Sequence, residues 1–545
     1  MKVSRRKAAA VLGVAAALIL SACSGSGSAE VTPASAAGAP RSGGSLTYLD
    51  YQVPYSFNFI NLSYWQNQPI DNSVLDRLVF QDPGTAKLYP WIAQSWDKSK
   101  DGLTYTFVIR KGVTYSDGTV LDAGNVKKNL EFQAFGDGKG NIRNAYFPAV
   151  ESVSADDATS TVTVRLKQPN SYFLATLSYQ TAGLVSTKYF SLSYKEQGKG
   201  TNLLGSGPFV ITENSPTETK IVRREGYNWA PPVLKHQGEA YLNSVTFVPV
   251  VEDSVRLGTL ESGQADVIHY IQPSEQAKAQ QKGLQIITQR FLDGTQTSLA
   301  FGTSSGYLSD INVRKAIALA VDRDKLVKTI YAPGYLPATG LLRSGAPDFV
   351  ASPDVKTYDP AAAGKLLEQS GWVLPPGSEV RQNSAGQKLT IKALIDVYNV
   401  TSPALYQYLQ IALKAIGIDL ELKQVDYSDY PQAAKNPDLS GFKLLTLNRD
   451  AAYNLARDAL STYGDYFQLK DKDPELASAA KSIISGNLDP AQQHEEIVKL
   501  QAGLINHYYL TPLVDIPQVF VAQPSVHGFS QIRSSPWLYN TWLSK

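Results

Sequence analysis

Few side chains in this 545-residue sequence are spaced for making or breaking bonds. The five histidines, His236, His269, His494, His507 and His527, are scattered. None stands in a His-Glu-x-x-His pair that could hold zinc and supply a base. His494 and His507 fall on one predicted helix at no ligand spacing and read as surface or capping residues. Gly302-Thr303-Ser304-Ser305-Gly306 has the Gly-x-Ser-x-Gly spacing of a serine nucleophile, but the string alone, with no paired base, does not make one. Cys23 is the sole cysteine, which excludes intrachain disulfides and zinc sites built from several cysteines. Asp471 and Asp473 lie in a charged run that reads as a solvated face. There is no Gly-x-x-x-x-Gly-Lys-Ser/Thr, and the glycines of Leu204-Gly205-Ser206-Gly207-Pro208-Phe209 stand too close together to cradle phosphates, so they read as a tight bend between strands. What does recur is aromatic rings beside amides: Asn58, Asn61, Tyr64, Trp65 and Asn67, all within Phe57 to Gln68. Polar-tipped rings give large contact area at low entropic cost, so this stretch reads as the wall of a binding site or as a surface loop packed by its own aromatics. Binding, not turnover, is the chemistry these residues suit.

The elements that must position them are those of an α/β chain. Ser45-Leu46-Thr47-Tyr48-Leu49 alternates as a half-buried strand, and Thr104 to Arg110 does the same between the turn dipeptides Asp101-Gly102 and Asp117-Gly118. Ala123 to Leu130 reads as a helix despite Gly124. Val150 to Leu166 reads as a hairpin about Asp156-Asp157, and Val245 to Val251 as a further strand. From Val313 to Tyr331 the apolar residues fall on one face of a single predicted helix. Asp359-Pro360, Ser402-Pro403 and Asp489-Pro490 each open a helix with a side-chain acceptor and a proline at the first turn, and Gly371 and Gly417 close two of them. The predicted strands Leu389 to Ile395 and Ile418 to Val425 bracket the second, the strand-helix-strand order of a parallel unit.

The length exceeds what one core can fill and predicts two or three units. Hydrophobic residues make up 43% and charged residues 18%, an ordinary globular balance. Lys2 to Lys7 is basic and Ala8 to Leu20 apolar, too short to span a bilayer, which predicts a signal peptide over residues 1–22. Leu20-Ser21-Ala22-Cys23 looks like a bacterial lipobox, implying cleavage before Cys23 and acylation of its thiol, hence an exported lipoprotein anchored to the outer face of the cell membrane. Ser4-Arg5-Arg6 has the paired arginines of twin-arginine signals, though the residues after it fit that pattern poorly. Residues 23–43, rich in Ser, Gly, Ala and Pro, read as a flexible tether. Removing the four basic residues of the signal from the 51 leaves 47 against 49 acidic ones, about −2 for the mature chain, with no electrostatic footprint for nucleic acid.

Taken in order, these stretches resemble the family 5 extracellular solute-binding proteins, receptors of dipeptide and oligopeptide ABC importers. Pro90-Trp91-Ile92-Ala93-Gln94-Ser95-Trp96 looks like the family's Pro-x-x-Ala-x-x-Trp, followed by its strand, Arg-x-Gly-Val (Arg110 to Val113) and Ser-Asp-Gly-Thr (Ser116 to Thr119). Gly205 to Phe209 is similar to its Gly-x-Gly-Pro-Phe bend, and Gly263-Gln264-Ala265-Asp266 to its Gly-x-Ala-Asp helix end. Val313 to Ile317 with Ala320 to Arg323, and Tyr358-Asp359-Pro360 to Trp372, resemble two further helices. The resemblance implies an α/β fold of two hinged lobes about a cleft, of the periplasmic-binding-protein type (class II, cluster C), with three domains. Domain I would combine residues 44–76, 202–303 and 511–545, domain II would be inserted as 77–201, and domain III would be 304–510. The hinge would lie at Phe301-Gly302 and Tyr509-Leu510.

The same resemblance implies capture of an oligopeptide or dipeptide and delivery to an ABC permease and its ATPase subunits, by a monomer, with no cofactor, no metal and no catalysis. The family's amine-binding aspartate corresponds to Asp450, although Leu447 replaces the usual tryptophan and the following acidic-Pro pair is missing. Asn448, Arg449 and Tyr453 beside it, and Asn58, Tyr64 and Trp65 on domain I, complete the implied ligand-binding set. That aromatic-and-amide set equally suits sugar rings, so an oligosaccharide or another small solute stands as the alternative ligand.

Overall fold

The computed structural model describes Gly38–Lys545, apart from residues 53, 55, 59–64, 139–146, 148, 289–294, 305, 353–354, 356, 396–400, 427–428, 434–435, 437–438, 440, 448–450, 462 and 533–534. Cys23, Tyr64, Asn448, Arg449 and Asp450 therefore lie outside the described residues, as does the expected signal peptide.

Strand Ser45–Asp50 is the centre of a seven-stranded sheet gathered from distant parts of the chain. It pairs in parallel with Ser244–Pro249 on one side and Val267–His269 on the other. Antiparallel strands Thr219–Arg223 and Phe209–Asn214 extend one flank, and Val519–Ala522 and Gln285–Thr288 the other. Period-2 alternation sends Leu46 and Tyr48 into one apolar core and Leu49 into another, so both faces of this sheet are covered. Asp266 pins the register. Its carboxylate accepts from Thr47 N at 2.8 Å, and its own amide donates to Thr47 O at 2.9 Å.

A second, all-antiparallel sheet is built within residues 93–166, in the order 93–98, 104–109, 161–166, 150–156. Thr104–Ile109 alternates half-buried and buried residues, as its sequence predicts. Helix Ala123–Phe135 starts where Asp122 accepts from Asn125 N at 2.7 Å. A third sheet runs 336–337, 510–516, 295–301, 442–447. In it Phe301 N donates to Tyr509 O at 3.2 Å, so the two expected chain crossings lie side by side. Strands Thr390–Leu394 and Asp419–Lys423 pair in parallel around helix Ser402–Lys414, the predicted strand-helix-strand unit. Asp359 caps helix Pro360–Gln369, and Asp489 with Gln492 forms a full capping box on Pro490–Asn506.

Three expectations need correcting. Ser402 does not cap its helix: it is the first helical residue, behind Thr401, and no side-chain cap bond is made there. The single helix over Val313 to Tyr331 is two, Ile311–Leu319 and Arg323–Ile330. Asp322 explains the break: its carboxylate accepts from Lys325 N at 2.9 Å and caps a new helix there. Asp473 is buried, not on a solvated face, because it caps helix Pro474–Ser485 and meets His507 Nδ1 at 2.6 Å. Asp471 and His494 are exposed, and His507 is the C-terminal cap residue of 490–506.

The Gly205-to-Phe209 bend presses on the end of helix Gln68–Val74. A Cβ on Gly205 would stand 1.9 Å from Val74 O, and one on Gly207 would stand 2.6 Å from Val74 C. Neither position has room for a side chain. Beneath the bend, Asp76 is fully buried and accepts from Ser206 Oγ at 3.0 Å, Trp229 Nε1 at 2.8 Å and Tyr227 Oη at 3.3 Å. Burial outweighs those donors and raises its pKa to about 6.

Candidate functional site

In an open α/β sheet the crevice outside the carboxyl ends of parallel strands collects ligands, because the connections diverge there. In the seven-stranded sheet that edge is marked by Asp50, Pro249 and His269, the last residues of the three parallel strands. Trp65 reaches it from the loop before helix 68–74. Its indole N–H donates to His269 Nδ1 at 2.9 Å, with the two rings 4.8 Å apart. An indole nitrogen can only donate. His269 Nε2 lies 3.1 Å from Gln518 Oε1, and Asp50 Oδ2 lies 3.1 Å from the same Nδ1 that meets Trp65. Asp50 also accepts from Tyr51 N at 2.8 Å and Tyr48 Oη at 3.4 Å.

The edge continues through half-buried rings. Tyr270 packs on His269 at 3.7 Å and edge-on to Tyr51 at 4.9 Å, and Gln66 Nε2 hydrogen-bonds Tyr51 Oη. Tyr270 adopts a left-handed φ of 58°. Arg256, fully buried, holds this turn. It donates to Val250 O at 2.6 Å, Val251 O at 2.9 Å, His269 O at 3.1 Å and Tyr270 O at 2.8 Å, and also reaches Asp253. One guanidinium thus ties two of the three strand ends together. The result is a preformed wall of half-buried Tyr51, Trp65 and Tyr270, backed by the buried His269 and suited to holding apolar and hydrogen-bonding parts of a ligand.

The other predicted residues are distributed differently. Asn58 is buried, and its amide donates to Tyr194 O at 2.7 Å while its carbonyl meets Ser56 Oγ. Its polar groups are thereby engaged in fixing the loop, not at the strand ends. Tyr453, also buried, is the second residue of helix Ala452–Leu460 and packs on Tyr172 with ring centroids 5.3 Å apart. It belongs to a core separate from the one that carries Trp65.

A family model described as bacterial extracellular solute-binding proteins, family 5 (middle), matches residues 87–464. The chain belongs to that family. Among curated relatives of this family 5 protein, the glutathione-binding protein GsiB of Salmonella paratyphi A is 29% identical over 391 residues, covering 70% of each chain. Solved structures share its fold. NikA from Brucella suis, in complex with Fe(III)-EDTA, is 20% identical, covers 92% of this chain and 100% of its own, and has a TM-score of 0.80. The oligopeptide-binding protein AppA from Bacillus subtilis, in complex with a nonapeptide, is 19% identical with 93% and 100% coverage and a TM-score of 0.75. The two-lobed α/β expectation stands on this likeness.

Reading the sequence found only Trp65 at this edge of the family 5 protein: Tyr51, Tyr270 and Arg256 were not singled out, and His269 stood only as one of five scattered histidines. His269 has no local signal, since Trp65 lies 204 positions away and Gln518 lies 249 away.

Proposed function

We propose that the protein is the substrate-binding lipoprotein of an ABC importer, capturing an oligopeptide or dipeptide between two lobes and handing it to a membrane permease, without catalysis. The observation that carries this reading is the wall of Trp65 and Tyr270, backed by His269, at the carboxyl ends of the parallel strands, in a chain of this family. The glutathione-binding name of the curated relative and the nonapeptide held by AppA favour a peptide over a sugar.

In this reading residues 44–76, 202–303 and 511–545 form domain I, 77–201 the insert and 304–510 the second lobe. Support comes from the seven-stranded sheet, which takes its strands only from the first set, and from the 93–166 sheet, which lies wholly within the second; the third sheet, however, joins 295–301 and 511–516 of the first set to 336–337 and 442–447 of the last. Trp65, with Tyr64 beside it, contacts the ligand from one lobe. Asn448, Arg449 and Asp450 contact it from the other, Asp450 taking a free amino group by a charge-assisted hydrogen bond. Asn58 and Tyr453 position these stretches. Closure would remove water and strengthen every polar contact inside. Acylated Cys23 would hold the monomer at the outer face of the membrane.

Calorimetric titration of the soluble Cys23→Ser protein with a mixed peptide pool and an oligosaccharide pool tests the ligand class. Heat with peptides is expected, and binding of sugars alone would overturn the peptide assignment. Palmitate labelling in intact cells, lost in Cys23→Ser, tests the anchor.

A further inference from the structure

One carboxylate joins the insert to the second lobe. Asp348 Oδ2 accepts from Tyr172 Oη at 2.6 Å and from Ala452 N at 2.9 Å. Tyr172 belongs to the 77–201 segment, whereas Ala452 is the first residue of the 452–460 helix, directly after the stretch holding Asn448 to Asp450. The carbonyl of Asp348 is itself held by Gln501 Nε2 at 2.7 Å, so its position is set by helix 490–506. Around this joint Tyr172 packs on Tyr453, Asn170 Nδ2 reaches Tyr453 Oη at 3.5 Å, and Tyr172 N donates to Asn170 Oδ1 at 2.9 Å. Tyr172 and Tyr453 are only 9% and 6% exposed, while Asp348 is half-buried. Tyr172 is also the one residue of the 77–201 segment in the core formed by helices 452–460, 474–485 and 490–506, among the described residues. A second contact between the same two segments, Asn487 Nδ2 to Lys100 O at 3.2 Å, is exposed.

Two donors from opposite sides share a single oxygen. Losing the Tyr172 hydroxyl removes one of the two protein donors to that half-buried oxygen, a charge-assisted bond. We propose that Asp348 is a positioning residue that couples the insert to the second lobe: by accepting Tyr172 from the insert and the amide of Ala452, it makes the start of the 452–460 helix depend on that contact. This rests on the lobe division proposed above but not on the nature of the ligand.

Amide hydrogen exchange on the purified Cys23→Ser protein tests it without any added ligand. Tyr172→Phe keeps the ring and removes only the hydroxyl. It is expected to speed exchange at 451–453 about tenfold, with helix 474–485 unchanged. Asp348→Asn should shift 451–453 in the same direction, and Asn487→Ala, at the exposed contact, should leave it unmoved. Unchanged exchange at 451–453 in Tyr172→Phe overturns the proposal. So does equal speeding throughout 474–485, which would mark general loosening, or an equal effect from Asn487→Ala. A failed peptide titration with the exchange coupling intact would sink the ligand assignment alone.

Discussion

The guanidinium of Arg256 lies 2.8 Å from the carbonyl oxygen of Tyr270, a residue held at a φ of 58°. A left-handed tyrosine costs about 1–2 kcal/mol on its own. Arg256 offsets that cost by bonding the carbonyls on both sides of the turn as well as those of Val250 and Val251. Lysine keeps the charge but gathers its donors at one point and cannot span four carbonyls. Arg256→Lys is therefore expected to lower stability by about 2–4 kcal/mol. It should weaken ligand binding in parallel, as read by the guanidinium unfolding midpoint and by calorimetry. A midpoint equal to wild type would remove Arg256 from this role.

His269 should respond to substitution according to which nitrogen is replaced. Asparagine puts an acceptor near the place of Nδ1 and can still hold the Trp65 indole. Glutamine reaches toward Gln518 instead and leaves the indole without an acceptor. Under the proposed function, His269→Asn should bind within a few-fold of wild type, while His269→Gln loses about tenfold, the cost of one unmade buried hydrogen bond. The reverse order would show that the Gln518 contact, not Trp65, carries the effect.

Asp76 gives stability a pH dependence of known sign. Its pKa is raised from 3.8 to about 6 in the folded chain. The neutral acid is favoured by folding, so its contribution is full below about pH 4 and is lost as pH rises through about 6, amounting to about 3 kcal/mol. Asp71 and Asp515 are also raised by burial and slope the same way, so the comparison must be made against a variant. Asp76→Asn keeps an acceptor for Trp229 and Ser206, and the Tyr227 hydroxyl can turn to accept from the new amide. The difference in unfolding midpoint between wild type and Asp76→Asn should therefore change between pH 4 and pH 7. A constant difference contradicts the assignment.

Gly205→Ala should be among the most damaging small substitutions in the protein. The added carbon would sit 1.9 Å from a main-chain oxygen, and backbone yields less readily than a side-chain tip. A loss of about 3 kcal/mol or more is expected, or failure to accumulate folded protein. Gly258, whose Cβ would meet nothing within 4 Å, is the control position.

Local patterns were legible wherever the forces are local. The alternation of Thr104 to Ile109, the hairpin of 150–166 and the Asp-Pro helix starts at Asp359 and Asp489 each depend on neighbours a few residues away. The exception at Asp322 has the same origin: the apolar stripe continues across the break, while a short-range cap decides where a helix restarts. What the sequence could not display is pairing between distant pieces. Thr47 meets Asp266, and Trp65 meets His269, only because strands more than 200 positions apart lie side by side. The candidate site was thus half visible, as a tryptophan in a loop, and its other half was an unremarked histidine at a strand end.

The adjacency of Phe301 and Tyr509 carries a last consequence. Strands 295–301 and 510–516 are joined by a ladder running Ala300 with Leu510 and Leu299 with Thr511. Between Ser298 and Thr297 the register shifts from Pro512 to Val514, so Leu513 stands as an extra residue in a bulge. The ribbon between the expected crossings is thus not a uniform ladder: the bulge resets which side chains face each side, and a one-residue change that removed it would turn every pair beyond to the other face.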